Sequence, residues 1–281
     1  MKDGNFVAEL DPKTATEDDI ITLMAGRQIE VIYPDRRDKF GERTLSVEGL
    51  TRDGEFNDVS FDLRSGEVLS LFGLVGSGRS ELVETIFGAR RLHSGSISIC
   101  GEERHLNSPA DAIKNGIALL TENRQRTGLV LGLKVDENIN LTTMHGLLLS
   151  LAGRRSKSER MIKELSIQPA GCRNMEAWQL SGGNQQKVVI SKWLLTDPSI
   201  LILDEPTRGV DMATRAEIYQ KINELADAGI SILIVSSDLS EAISMSDRVL
   251  VMRNGQIVKE LDAAETNEDE VLTHAIGGHV E

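Results

Sequence analysis

The sequence predicts an α/β fold in which a mostly parallel sheet is covered by helices, and three observations predict it. Short apolar runs, EVLSLFG, SILILDE and ISILIVSS, are each followed by a helical period, starting at Arg79, Ala213 and Leu239. Upstream, LSVEGL and NDVSFDL place apolar residues at alternate positions before Ser65-Gly66 turns the chain, which suits a small antiparallel β subdomain. Between roughly Asn123 and Thr196 the strand signal disappears and helical periods dominate, so a helical subdomain is expected inside the α/β core.

Taken in order, the chain opens with a near copy of its own ending. MKDGNFVAELD answers VMRNGQIVKELD, and residues 1 to 26 align without a gap on residues 252 to 277, with Gly4/Gly255, Glu9/Glu260, Leu10/Leu261 and Asp11/Asp262 among the identities. Residues 3 to 11 read as a hairpin arm after an Asp-Gly turn, and a helix is expected over Glu17 to Met24. The polar stretch YPDRRDKFGERT, Tyr33 to Thr44, has Pro and Gly but no apolar period and reads as a linker. The α/β pattern begins at Leu45.

Composition narrows the function classes. Against 31 basic residues stand 44 acidic ones, a net charge of −13, so long-range fields oppose nucleic acid and anionic lipid. No apolar run approaches the 18 or so residues of a membrane span, and the acidic start lacks the basic residues and apolar core of a signal peptide. Cys100 and Cys172 have no paired spacing, which suits free thiols in a reducing compartment. The five histidines show no ligand spacing.

The chemistry concentrates in three segments. In the first, the strand VLSLFG enters GLVGSGRS, with Gly73, Gly76 and Gly78 ahead of Arg79, Ser80 and a helix. This is a P-loop context: backbone N–H groups can curl around phosphate oxygens where no Cβ intervenes, and the helix dipole adds to the attraction. Ser80 would place its hydroxyl on Mg²⁺. In the second, ILILDEPTRGVD, an apolar strand delivers two adjacent carboxylates to its end; Asp204 would hold Mg²⁺ through water and Glu205 is a general-base candidate. In the third, LSGGNQQK, Ser181, Gly182 and Gly183 precede a helix and offer a second anion-binding N-terminus.

A P-loop, an LSGG segment and an LDEP strand in this order, with a helical insert between the first two, resemble the nucleotide-binding domain of ATP-binding cassette (ABC) proteins over about residues 45 to 262. The resemblance implies ATP and Mg²⁺ as cofactors, with Gly73, Gly76, Ser77, Gly78, Arg79, Ser80 and Glu81 on this chain's nucleotide. It also implies head-to-tail pairing, in which Ser181, Gly182 and Gly183 serve the nucleotide of a partner cassette. Trp178, just before LSGG, reads as packing rather than base contact. Phe56 is the one aromatic between Leu45 and Val59, and the shortened TRDGEF leaves adenine recognition open.

Three positions depart from the family pattern. Arg79 stands for the P-loop lysine, Glu122 for the glutamine where the core meets the insert, and Ser237 for the switch histidine. Arginine keeps a positive charge but carries a longer planar head than an ammonium, Glu122 adds negative charge beside the γ-phosphate, and Ser237 removes an imidazole. Weak hydrolysis is therefore expected at this P-loop, although Glu205 is retained; loss of one well-placed donor costs roughly 10²- to 10³-fold. Together with Glu122-Asn123-Arg124, RGVD and Ser236-Ser237, these features resemble the second cassette of bacterial monosaccharide importers of the ribose/galactose/xylose type. On that reading residues 1 to 30 are the tail of a first cassette, 31 to 44 the linker and 45 to 281 the second cassette, with its helical subdomain near 123 to 196. The expected partners are a fused cassette, membrane permease subunits and a sugar-binding protein, and the expected location is cytoplasmic, peripheral on the inner face of the plasma membrane. GLVLGLKVDENI, Gly128 to Ile139, serves either for docking to those subunits or as cover for the helical subdomain. Two other readings compete: a regulatory module that binds nucleotide without hydrolysing it, and a cassette acting on DNA or ribosomes, which the acidic balance and short insert oppose.

Overall fold

A computed structural model describes residues 8–9, 39–143 and 151–278. The expected hairpin arm and helix near the start, and most of the linker, lie outside the described residues. Strand β1 (Arg43–Arg52) begins two residues ahead of Leu45, inside the stretch read as linker, because Arg43 pairs with Arg64 and the Thr44 hydroxyl bonds to Leu63 O and the Ser231 hydroxyl.

Two sheets form the body. The smaller is antiparallel, with β2 (Phe56–Arg64), β1, β4 (Ser94–Ile99) and β5 (Glu102–Glu103) in that order. Val59, Phe61 and Leu63 on β2 and Leu45, Val47 and Leu50 on β1 turn inward, as expected for strands with one buried face. The larger sheet runs β10 (Gln256–Asp262), β9 (Arg248–Arg253), β3 (Val68–Phe72), β8 (Ser231–Ser236), β7 (Ile200–Asp204), β6 (Ile117–Leu120). Every neighbouring pair is parallel except the edge hairpin β9–β10. Strands β3, β6, β7 and β8 are buried along their whole length, which is why their sequences are predominantly apolar rather than alternating, with Ser70 the one polar residue inside a strand.

Helices close both faces: α1 (Arg79–Ile86), α2 (Pro109–Lys114), α6 (Met212–Asp227), α7 (Leu239–Ser244) and α8 (Glu268–Ile276) belong to the α/β body. The expected helical insert contains α3 (Val135–Asn140), α4 (Leu151–Glu164) and α5 (Gly182–Leu194), entered through a π-helical turn over Arg124–Gly128. Its Val135, Ile139, Met161 and Val188 join the same apolar core as the sheet, so the insert is continuous with the body.

Register then assembles the site. Phe72 pairs with Ser236, Val235 with Asp204, and Leu203 with Leu120. The carboxyl ends of four parallel strands are therefore level, and the residues that follow each strand share one edge of the sheet, where ligands of open parallel sheets sit. Those residues are Gly73 to Ser80, Thr121-Glu122, Glu205 and Ser237.

Candidate functional site

The glycine-rich turn after β3 is shaped by close backbone approach. A Cβ on Gly73 would stand 2.4 Å from Met252 O, and one on Gly78, at φ +98°, 2.6 Å from Glu55 O, so neither position tolerates a side chain. Gly78 is the N-cap of α1 and offers no side-chain cap, which leaves the first N–H groups of the helix, those of Arg79, Ser80 and Glu81, for an external acceptor. Gly76 lies at the surface beside Leu74 and Val75, whose side chains are 47% and 92% exposed, whereas Ser77 is buried with an unpartnered hydroxyl.

Opposite Ser80, Asp204 ends β7 only 3% exposed. Burial pushes its carboxyl up to about 6, opposed by a hydrogen bond from the Ser80 hydroxyl. Its Oδ1 is buried and has no partner. A buried carboxylate oxygen left unpaired is costly, and a hard cation is the partner that Ser80 and Asp204 together suit. The residues present fit Mg²⁺ beside a triphosphate.

Glu205 follows with φ 52°, a left-handed backbone that costs a non-glycine residue about 1 kcal/mol or more. The strain is held because Glu205 N donates to Val235 O at 2.8 Å while Glu205 Oε1 accepts from Ser237 N at 2.8 Å. Ser237 thus meets Glu205 through its main chain, and its side chain stands at the surface. Arg79 turns into the protein. Its guanidinium donates to Ser236 O and lies 3.7 Å from Glu205 Oε1, 8% exposed, and burial lowers its pKa against the pull of Glu205, Asp204 and Glu81. Glu122 likewise faces Arg208, with which it forms an ion pair, and both side chains are largely exposed.

Sequence reasoning placed Gly182 and Gly183 before a helix; they are its first two residues, with Ser181 as N-cap. They also have a packing reason that anion binding did not suggest. A Cβ on Gly182 would stand 2.6 Å from an Arg124 guanidinium nitrogen, and one on Gly183 would stand 2.5 Å from the Thr214 hydroxyl. Ser181 is exposed and Gly183 buried, so the open part of this terminus is Ser181 with the edge of Gly182. Arg124 donates to Arg208 O at 2.8 Å and to Gly209 O at 3.2 Å, tying the Glu122 segment to the loop after β7.

One aromatic expectation, for Trp178, changes, and the question left open at Phe56 narrows. Trp178 is 59% exposed, its indole N–H bonded to Glu176, so packing does not account for it. Phe56 is 3% exposed and belongs to the core, so as placed it presents no face to a base. Sequence reasoning also missed Glu241, which accepts three side-chain hydroxyls inside the protein. Asp238 is the N-cap of α7 and its Oδ1 accepts from Glu241 N at 3.1 Å, while the Glu241 carboxylate turns inward instead of back to the cap.

Comparison with known proteins bears on the family and the fold. The ABC transporter family model matches residues 56–208, more than half of the chain. The chain is 48% identical over 280 residues to the ribose import ATP-binding protein RbsA 1 of Streptomyces avermitilis, covering 98% of this chain and 53% of that protein. It is 43% identical over 283 residues to a putative ribose/galactose/methyl galactoside import ATP-binding protein of Rhizobium etli, with 99% and 54% covered. The chain therefore spans about half the length of these curated relatives. Among solved structures, a nucleotide-free ATP-binding cassette from an ABC transporter superposes with a TM-score of 0.69 at 24% identity, covering 84% of this chain and 96% of that one. A dimeric cassette in a post-hydrolysis state bound to ADP and Pi superposes at 0.67 and 22% identity, covering 78% and 98%. These two likenesses show the fold. The chain belongs to the ABC transporter family and has the fold of its P-loop cassettes.

Proposed function

We propose that the chain is the second cassette of a sugar importer, holding MgATP at a P-loop of low hydrolytic power and presenting Ser181 to Gly183 to the nucleotide of a partner cassette. The single observation that carries this is the direction of Arg79. The cation that follows the glycine-rich turn is bonded to Ser236 O and drawn toward Glu205, so it is occupied within the protein and partly neutralises the general-base candidate. Glu122, paired with Arg208, and Ser237, whose imidazole-bearing counterpart in the family is absent, supply no further cationic or imidazole donor for a γ-phosphate.

The chain's own residues divide the work. Main-chain N–H groups of Gly76 and of Gly78 to Glu81 would hold phosphate oxygens, Ser80 and Asp204 would hold the cation, and Glu205 would accept a proton from water. Mg²⁺, when bound, neutralises phosphate charge at this end of the site. The near repeat of residues 1 to 26 on 252 to 277 supports a preceding cassette ending near residue 30, followed by a linker to residue 44. Relatives named as ribose import proteins support a sugar as cargo, carried by membrane permease subunits and delivered by a sugar-binding protein. Among the described residues no helix is long and apolar enough to cross a membrane, and a cytoplasmic position on the inner face follows from docking to those subunits. For that docking the best-supported surface pairs Val130, 49% exposed, with Trp178, whose main-chain N–H donates to Leu131 O at 3.1 Å.

The test compares the protein with the triple variant Arg79→Lys, Glu122→Gln, Ser237→His. MgATP should bind both, and phosphate release by the variant, paired with a cassette that supplies LSGG, should rise by about 10²-fold or more. Equal rates would refute the low-power site. Binding without any release in either protein, even when paired, would favour a regulatory module.

A further inference from the structure

The most deeply placed acidic group of the site end is not one that meets nucleotide. Glu241 sits on α7, 2% exposed, in a position where an ionised carboxylate is costly unless its oxygens are fully hydrogen-bonded. They are. Oε1 accepts from the Thr207 hydroxyl at 2.6 Å and the Tyr219 hydroxyl at 3.0 Å, and Oε2 is bonded by the Ser236 hydroxyl at 2.5 Å. These donors come from three different elements: the turn after β7, helix α6 and the end of β8.

Two of the three donors, Thr207 and Ser236, sit one step from a group that faces the phosphate end. Thr207 is two residues past Glu205, across Pro206, and is itself buried. Ser236 gives its carbonyl to Arg79, and the next N–H, that of Ser237, holds Glu205 Oε1. One carboxylate therefore spans the two strand ends whose residues meet across the site. Asp238 extends the arrangement to the surface, where Arg215 of α6 bonds it at 3.1 Å. No Lys or Arg bonds Glu241 directly among the interactions the structure shows: three hydroxyls hold its oxygens, burial raises its pKa, and the Arg215 charge acts on it without a direct bond.

We infer that Glu241 is a positioning residue for the γ-phosphate: it fixes the separation of the Glu205 turn from the Ser236-Ser237 segment, and so determines how well this site tells ATP from ADP. The inference rests on the nucleotide-binding reading above. On that reading the P-loop, which Glu241 does not touch, would hold the α- and β-phosphates, and the groups Glu241 spans, Glu205 and Ser236-Ser237, would meet the third phosphate.

The experiment measures ATP and ADP affinity of the chain, with Mg²⁺, for wild type and for Glu241→Gln, a near-isosteric change that still accepts from Thr207 and Tyr219. ATP affinity should fall by about tenfold with ADP affinity unchanged and the melting temperature little altered. The Tyr219→Phe variant, which removes one donor and leaves the carboxylate, should lie between the two. In ligand-free protein, hydrogen exchange of the Ser237 amide should accelerate in Glu241→Gln. Equal ATP-to-ADP ratios in wild type and variant, or parallel loss of both affinities, would overturn the inference while leaving nucleotide binding intact. A wild-type chain that binds neither nucleotide would instead refute the nucleotide-binding reading, and the inference with it.

Discussion

The guanidinium of Arg79 donates to the main-chain oxygen of Ser236, carrying the one cation of the P-loop across to the end of β8. Removing it leaves that buried carbonyl unpaired and Glu205 without its neighbouring charge. Arg79→Met should therefore destabilise the ligand-free fold by about 1–3 kcal/mol. Urea unfolding at constant m-value checks this, and an unchanged midpoint would show that the bond contributes nothing.

Asp204 makes stability depend on pH. Its folded carboxyl is raised to about 6 by burial from an ordinary value of 3.8, so between those values the native state binds more protons than the unfolded state. The stability contribution accordingly falls as pH rises through that window and is lowest above it, by roughly 2–3 kcal/mol. Asp204→Asn should stabilise the ligand-free protein at pH 7.5 relative to wild type, and the difference between the two should shrink as pH falls from 6 to 4. The same variant should lose Mg²⁺-dependent nucleotide binding. Unfolding curves across that range, with and without Mg²⁺, provide the check.

Gly183 lies against a short, branched side chain rather than a flexible one. A methyl there would stand 2.5 Å from Thr214 Oγ1 and 2.7 Å from its Cγ2, and that hydroxyl also bonds the Asp211 carboxylate that caps α6. Gly183→Ala should cost about 1–3 kcal/mol through overpacking. Adding Thr214→Ala should recover part of that cost, giving a coupling energy that a double-mutant cycle can read. Additive effects would remove the packing explanation.

Trp178 is exposed beside Leu131, so its replacement should separate folding from docking. Trp178→Ala should change stability by no more than about 0.5 kcal/mol and leave MgATP affinity unchanged. It should lower the fraction of protein that sediments with membranes containing the permease subunits. Undiminished sedimentation would move the docking surface elsewhere.

How far the sequence carried these features depends on whether a local pattern or a long-range contact determines them. The parallel sheet was legible because VLSLF, ILILD and SILIVS are buried on both faces and so predominantly apolar. Gly78 and Asp204 were legible because a P-loop and a strand-end carboxylate have short, local signatures. The roles of Gly182 and Gly183 were only half legible: their partners Arg124 and Thr214 lie about 60 and 30 residues away, and nothing in LSGG reports them. Glu241 was not legible because the partners of its carboxylate, Thr207, Tyr219 and Ser236, come from the turn after β7, from α6 and from the end of β8, and no local pattern reports them. Trp178 reads as packing because a large aromatic side chain is usually covered, and here the chain leaves it outside.

Calorimetric titration of the chain with ATP, with and without Mg²⁺, tests the central claim most directly. One nucleotide should bind per chain, more tightly with the metal, and Ser80→Ala should remove the metal's contribution while leaving the fold intact. Absence of binding at every Mg²⁺ concentration, or binding that neither Mg²⁺ nor Ser80→Ala alters, would contradict the account.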